Sequence, residues 1–434
     1  MTVRRKDPRL DAAKLLVQII HKHQRSTDVL NEALNRYPDG SPDAALLHEL
    51  TMGVLRRRTA LIHVISPLLK SPFSKTAPII QEILLIMAYS FLYLTKIPPH
   101  AIVHSAVQGA RKMGGEPAAR FVNAIGRALE RQGATKNLLE SATPAMQASI
   151  PKWMQTLARA ADPRPWDDAN YEALGRPFPL VLRPHKKQTE LLEALIKQGL
   201  TATPTKYAIA GIKVDNPAAL RLFVPQMAVP QDEASQLVVQ ALAPQNGERI
   251  ADLCSGVGIK TSQILSLAPE AELLAVDIDK QKLDKAIELS KTAGLGGFDT
   301  LAMDATRLPE HLDGSFDAVL LDAPCTGLGT LGRRPEVRHL RKEQDVKQAA
   351  KLQVELLQRA LLLLKPSGRL IYAVCSFAIE ESDGVVDTVL TSNNCFTRQP
   401  IESPLVDKNG AIRTFPWRDY QMDGFVIIKI TRSC

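Results

Sequence analysis

Two cysteines each stand where an apolar run ends. The segment LDAPCTG, residues 321–327, carries Cys325 just past the apolar run Phe316 to Leu321, and GRLIYAVCSF carries Cys375 at the end of a second run. A third thiol, Cys254, ends the run RIADLC. One cysteine alone reads most simply as a small buried hydrophobe. Thiols repeated at strand ends suggest a nucleophile, because a thiolate is the strongest nucleophile among the common side chains at neutral pH. Lys260 and Arg333 are the candidate cations that would favour a thiolate. A metal cluster is the competing use of convergent thiols. No histidine lies near them in sequence and the spacings are not those of metal ligands, so no metal is expected.

These thiols need elements that bring them to one place. From Glu248 onward the apolar runs RIADLC, ELLAVDID, DTLAMDA, FDAVLLDAP and RLIYAVC alternate with helical stretches such as Lys280–Leu289 and Glu343–Leu364. That alternation predicts an α/β unit built on a parallel, doubly wound sheet with helices on both faces. Ligands of such sheets sit at the carboxyl ends of the strands, near the point where strand order reverses. The thiols and the acids Asp277, Asp304 and Asp322 would then share one rim.

The stretch DLCSGVGIKT, Asp252 to Thr261, leads from a strand through a glycine loop into a helix. Gly256 and Gly258 permit close backbone approach, and the helix start offers unpaired N–H groups. Asp277 ends the next strand, where a carboxylate can accept hydrogen bonds from ribose hydroxyls. A nicotinamide dinucleotide is disfavoured, because its fingerprint wants glycine where Thr261 stands. Asp304 would receive the exocyclic amine of adenine, or else cap a helix. Acids at successive strand tips suit a nucleoside with a positive centre, and S-adenosyl-L-methionine is such a molecule.

The first part of the chain is different. Residues 8–133 read as successive amphipathic helices, with Leu16, Ile19 and Ile20 in the first and Phe121, Ile125 and Leu129 in the last. Starts are expected at Ser26-Thr27 and Ser41-Pro42, and stops at Gly114-Gly115 and Gly133. The apolar window Pro78 to Leu94 contains Gln81 and Glu82 and reads as a buried helix rather than a membrane span. Residues 1–135 hold 19 Lys and Arg against 10 Asp and Glu, whereas the remainder holds 35 against 36. The whole basic excess is therefore N-terminal, which suggests a phosphate-rich partner. Five cysteines without a CxxC pair or an N-terminal signal sequence predict free thiols and a cytoplasmic protein. The expected domains are a helical domain over 1–135, a helical linker over 136–177, a small α/β module over 178–230 and the catalytic domain over 231–434.

LDAPCTGLGTLGRRPEVR and YAVCS resemble two motifs of the RNA cytosine-5 methyltransferases, and DLCSGVGIKT, AVDID and MDA resemble that family's cofactor motifs. VPQDEASQLV extends the similarity, and the basic helical start resembles a NusB-like RNA-binding domain. Together these point to the branch of the family that acts on small-subunit (16S) ribosomal RNA. The resemblance implies a Rossmann-like class I S-adenosylmethionine-dependent methyltransferase sheet, an all-α NusB-like N-terminal domain, a small α/β middle module, 16S ribosomal RNA as partner, no membrane, and a monomer. By resemblance Cys375 is the nucleophile that adds to C6 of cytosine, Cys325 assists product release, and Asp322 holds the N3/N4 edge. The cofactor would contact Cys254, Ser255, Gly256, Val257, Gly258, Ile259, Lys260, Asp277, Asp304 and Asp322. Arg333, Arg334 and Arg338 would border an RNA groove, and Arg56, Arg57 and Arg58 form a second phosphate-binding candidate. The chain departs from the family where Ile259 replaces a loop glycine, Val374 a threonine and His185 an asparagine. The alternatives are a transfer-RNA cytosine-5 methyltransferase and a non-catalytic RNA-binding or ribosome-assembly protein.

Overall fold

The computed structural model describes residues 7–38, 40–131, 139–418 and 421–433. The chain divides into two compact units. The first comprises Met1–Gln155, Pro165–Arg176 and Leu331–Arg341, and the second holds the remainder.

The first unit is helical: α1 Pro8–His21, α2 Ser26–Leu34, α3 Pro42–Ile65, α4 Pro78–Tyr93 and α5 Pro99–Arg131. Asp7 caps α1 by accepting from the N–H groups of Arg9 and Leu10, and Ser41 caps α3 by accepting from Ala44 N–H. At Gly115 the helical path of α5 breaks, with φ 72°, at one of the stops expected from sequence. The expected stop at Gly133 lies outside the described residues. Leu16, Ile19, Leu50, Leu55, Leu84, Val122 and Ile125 are in one core. Phe121 is exposed, and its neighbour Val122 takes the inward position.

Helix α4 is buried from Ile80 to Ser90, Glu82 included. A lone buried carboxylate would cost several kcal/mol, and partners offset that cost here. Glu82 accepts two hydrogen bonds of 2.7 Å from Arg58 and contacts His21 Nε2 at 3.0 Å. Among the described residues no helix is long and apolar enough to cross a membrane.

In the second unit a small antiparallel sheet is ordered β2-β3-β1-β4, from β1 Leu180–Pro184, β2 Ala202–Pro204, β3 Ile212–Val214 and β4 Ala228–Pro230. The helix Gln188–Lys197 lays Leu191 and Leu195 into its core with Leu182 and Ile212.

The large sheet contains β5 Arg249–Leu253, β6 Glu272–Asp277, β7 Asp299–Ala302, β8 Phe316–Asp322, β9 Leu364–Val374, β10 Phe396–Gln399, β11 Ile412–Arg413 and β12 Val426–Arg432. Its order is β7-β6-β5-β8-β9-β12-β10, with β11 paired to β12. The first five strands are parallel, as expected from their helical crossovers. The sheet is nevertheless mixed, because β12 enters antiparallel between β9 and β10. From β5 the chain builds outward to β6 and β7, then returns to add β8 and β9 on the other side. The order therefore reverses between β5 and β8, so their carboxyl ends flank the expected ligand crevice.

Cys254, Cys325 and Cys375 are not in disulfides. Cys395 is disulfide-bonded, contrary to the expectation of free thiols throughout.

Candidate active site

Strands β8 and β9 pair in parallel, with Asp322 opposite Ala373, so the chain leaves both strands at the same edge. The Sγ atoms of Cys325 and Cys375 lie 3.3 Å apart there. That is a contact distance, well beyond the roughly 2.05 Å of a disulfide bond. The two loops are also joined along their backbones. Ala323 N–H donates to Ala373 O at 2.9 Å, and Gly329 N–H donates to Cys375 O at 2.9 Å. Gly329 has no room for a side chain, since an added Cβ would overlap the carbonyl oxygen of Gly424.

Asp322 is the last residue of β8 and reaches Lys260 Nζ through Oδ2 at 2.6 Å. Burial disfavours charge on Lys260, but the Asp322 carboxylate and the nearby Cys375 and Asp252 more than offset this and raise its pKa. The Lys260 ammonium also stands 5.5 Å from the centroid of the Phe425 ring. Lys260, one of the two cations expected near the thiols, is thus at this rim.

Burial, the Cys375 contact and nearby negative charge act together on Cys325. The hydrogen bond with Cys375 comes first, then desolvation, and both raise its pKa well above that of a free thiol. Cys254 is pushed up to about 12, chiefly by burial and then by Asp277, Asp322, Asp252 and Asp304. Those four acids therefore share one electrostatic neighbourhood.

The glycine loop leaves β5 through Cys254, a non-glycine residue at φ 59°, followed by Gly256 at 59° and Gly258 at 80°. An added Cβ at Gly258 would lie 2.5 Å from that of Ala286, so the position requires glycine. At Gly256 nothing lies within 4 Å of an added Cβ, which leaves the loop backbone open to a ligand. Asp277 accepts from Gly256 N–H and from Asp279 N–H, each at 2.9 Å, and this fixes its carboxylate beside the loop. Thr261, which breaks the dinucleotide fingerprint, donates its hydroxyl to Asp252 at 2.6 Å. Asp252 is fully buried and its pKa is pushed up to about 7. Its Oδ1 lacks a hydrogen bond inside the fully buried side chain, and the Ser255 Oγ of the half-buried loop residue, also without a hydrogen bond, suits a lining that a polar ligand completes.

Asp304 caps a short 3-10 turn by accepting from the Thr306 N–H at 2.9 Å and hydroxyl at 2.8 Å. Both bonds end on Oδ1. Three apolar side chains near these acids face solvent: Val257, Met303 and, at 73% exposure, Ile278. Neither Ile278 nor Met303 stood out in the sequence, although each adjoins one of the strand-end acids.

Arg183 on β1 likewise carried no sequence signal. It is buried and donates to Gln231 Oε1 at 2.5 Å, Ser262 Oγ at 2.6 Å and Ile259 O at 3.3 Å, anchoring the helix Ile259–Leu267 that follows the glycine loop.

The arginine candidates divide. Arg338 is 1% exposed, and its guanidinium donates to the carbonyls of Leu174, Leu331 and Arg56. Arg58 is likewise buried against Glu82. Neither offers an edge to a phosphate, which corrects the sequence expectation for both. Arg334 is partly buried, 3.7 Å from Glu336. Arg333 is half-buried. Arg56 donates to Gly332 O at 3.4 Å, and Arg57 donates to Gln147 O at 3.1 Å. Glu336 in turn accepts the Ser26 hydroxyl at 2.7 Å, so Ser26, expected as a helix cap, holds the 331–341 segment instead. Among the described residues no group of three or more His, Cys, Asp or Glu is placed to hold a metal ion.

Comparison with known proteins gives the family of the chain. Residues 239–431 match the family model described as 16S rRNA methyltransferase RsmB/F, and residues 6–131 match the NusB family. The chain is 33% identical over 387 residues to the ribosomal RNA small subunit methyltransferase B of Salmonella arizonae, covering 87% of this chain and 89% of that protein. It is 34% identical over 390 residues to the protein of that name from Klebsiella pneumoniae, covering 87% and 88%. In fold it resembles the crystal structure of PH0851, with a TM-score of 0.82 at 21% identity over 98% of this chain and 99% of that one. It also resembles NSun6 from Pyrococcus horikoshii with SFG, with a TM-score of 0.59 at 19% identity over 66% and 99%. A NusB-family helical domain, a Rossmann-like sheet with paired thiols at its switch-point rim, and relatives one third identical along most of their length lead to one assignment: the chain belongs to the 16S rRNA methyltransferase RsmB/F family.

Proposed function

We propose that this protein methylates C5 of a cytosine in small-subunit (16S) ribosomal RNA through a temporary bond between Cys375 and C6 of the base. The observation that carries this reading is the 3.3 Å contact between the Cys325 and Cys375 sulfurs beside the Lys260–Asp322 ion pair. Cytosine C5 is a weak nucleophile while the ring is aromatic. The Cys375 thiolate adds to C6, the displaced electron pair makes C5 enamine-like, and Asp322 at the N3/N4 edge favours protonation of N3. Lys260 supplies positive charge near the thiolate and orients Asp322. Once C5 carries the methyl group, Cys325 assists removal of the C5 proton, and the returning electron pair expels Cys375 from C6.

Bound S-adenosylmethionine would supply an electrophilic methyl carbon on a positively charged sulfur. The loop from Cys254 to Lys260 would hold it, with Asp277 on the ribose hydroxyls and Asp304 on the adenine amine through Oδ2. Ile278 and Met303 would cover the faces of the base. The presence of SFG in NSun6 from Pyrococcus horikoshii supports a nucleoside-type ligand in this fold.

The target base must leave its stack to reach such a rim, which is least costly in unpaired RNA. The names of the Salmonella arizonae and Klebsiella pneumoniae relatives support a ribosomal substrate. Lys112, Arg120 and Arg127, all exposed on α5, are the phosphate-binding candidates, together with the partly buried Arg56, Arg57, Arg333 and Arg334 of the same unit.

Bisulfite sequencing of total RNA from cells with and without the gene tests the reading. Loss of one 16S ribosomal RNA signal is expected. Loss of a transfer RNA signal alone would overturn the substrate class.

A further inference from the structure

Each thiol is followed by a hydroxyl residue, Thr326 after Cys325 and Ser376 after Cys375. Both hydroxyls point to the same buried carboxylate. Glu381 is fully buried at the end of the 3-10 turn Ile379–Glu381 that follows β9. Its Oε1 accepts from Thr326 N–H at 2.8 Å and from Gln353 Nε2 at 3.3 Å. Its Oε2 accepts from the Thr326 and Ser376 hydroxyls, both at 2.5 Å. Gln353 also donates to Pro324 O at 2.9 Å, so the peptide groups on both sides of Cys325 are tied down. The turn carrying Glu381 is itself fixed, because the Tyr372 hydroxyl donates to Glu381 O at 2.7 Å.

We propose that Glu381 is a positioning residue that clamps the two thiol loops together and gives the two cysteines unequal roles. This rests on the two-thiol reading above. One carboxylate bonded to the residue after each thiol fixes both loops with a single rigid group. Its partners among the described hydrogen bonds are neutral donors, so its charge is not cancelled by a cation at close range. Buried charge of this kind acts strongly on its neighbours. The titratable groups it influences are Cys325 and Tyr372, and Cys325 in turn faces Cys375. Burial raises the pKa of Glu381 itself, against four donors that favour its ionised form. Glu381 adds to the Cys375 contact and burial in raising the Cys325 pKa, and it holds the Cys325 loop through both the N–H and the hydroxyl of Thr326 but the Cys375 loop only through the Ser376 hydroxyl, while Lys260 stands near Cys375. The clamp therefore favours Cys375 as the attacking sulfur, and Cys325, once it has passed its own proton to water, is the more basic sulfur that takes the C5 proton in the later step.

The test uses full-length protein and Glu381→Gln. In the absence of RNA and cofactor, iodoacetamide labelling of each cysteine is followed from pH 6 to 10 by peptide mass spectrometry. In parallel, kcat and KM are measured with ribosomal RNA. We expect Cys325 labelling in the variant to move to lower pH by about one pH unit, as loss of a nearby negative charge requires. We also expect kcat to fall about 10- to 100-fold from loop misplacement, with KM for RNA nearly unchanged. A folded variant with unchanged labelling profiles for both thiols and an unchanged kcat, differing only in thermal stability, would overturn the proposal. If Glu381→Gln does not fold, Ser376→Ala removes one of the four donors and is expected to lower kcat without raising KM. Unchanged kcat and labelling in that variant would equally overturn the clamp. The labelling experiment contains no RNA, so it judges Glu381 even if Cys375→Ala retains methylation and the covalent reading fails.

Discussion

The sulfur of Cys325 lies 3.3 Å from the sulfur of Cys375, although fifty residues separate them in the chain. That proximity arises because β8 and β9 pair in parallel and release their chains at one edge. Under the proposed mechanism both thiols serve one base, and their roles are separable by mutation.

Cys375→Ala is expected to abolish methylation, by a factor of about a thousand or more, and to form no covalent bond to RNA. Cys325→Ala is expected to attack and methylate but to release product slowly. A protein–RNA adduct that survives denaturing gels should therefore accumulate with Cys325→Ala when S-adenosylmethionine is present. An adduct from Cys375→Ala alone would reverse the roles.

Asp277→Ala is expected to weaken S-adenosylmethionine binding by roughly 1–3 kcal/mol, the usual cost of leaving buried hydroxyls unpaired. RNA affinity should hardly change. Calorimetric titration of cofactor into parent and variant measures this, and equal affinities would remove Asp277 from the site.

Asp252 gives the protein a pH-dependent stability of known sign. Its folded pKa is raised from the ordinary 3.8 to about 7, so the unfolded chain releases this proton at lower pH than the folded one. Stability should fall as pH rises between those values, by at most roughly 4 kcal/mol, and level off above pH 7. In Asp252→Asn this component should vanish. Urea denaturation of both proteins from pH 4 to 8 compares the slopes, and parallel curves would exclude the effect.

Gly329→Ala forces a methyl group against the Gly424 carbonyl and must displace the loop after Cys325. We expect a loss of roughly 1–3 kcal/mol in stability. Methylation should fall with it, because Gly329 N–H holds the Cys375 carbonyl. Thermal unfolding and initial rates measure the two effects, and wild-type values for both would show that the loops tolerate separation.

Lys112→Glu with Arg120→Glu should weaken RNA binding and make the salt dependence shallower, by about one in the logarithmic slope for each phosphate no longer bound. Filter binding across a range of salt concentrations tests this. An unchanged slope would place the phosphate-binding residues elsewhere.

The residues of this rim were legible in the sequence because they sit where local pattern changes. Apolar runs in β5, β6, β8 and β9 mark buried strands, and the residues just past each run must lie at a strand end. Cys254, Asp277, Asp322, Cys325 and Cys375 could be named from that rule alone, as could the glycines at 256 and 258. The helical character of residues 8–131 and the buried α4 followed equally from periodicity. Which strands are neighbours is a non-local matter, and tertiary structure decided it. The 3.3 Å approach of the thiols exists because β8 returns to the free side of β5 and β9 pairs beyond it, while β12 enters antiparallel from the far end of the chain. Charged side chains were misjudged for the same reason. Arg58 and Arg338 look like phosphate ligands in a run of basic residues, yet Glu82 and three carbonyls bury them. Glu381 drew no notice, since an acid in a polar loop gains meaning only from the Thr326 and Ser376 hydroxyls that folding brings to it. Local pattern determines where a side chain leaves its element, whereas a buried polar group depends on partners supplied by distant segments.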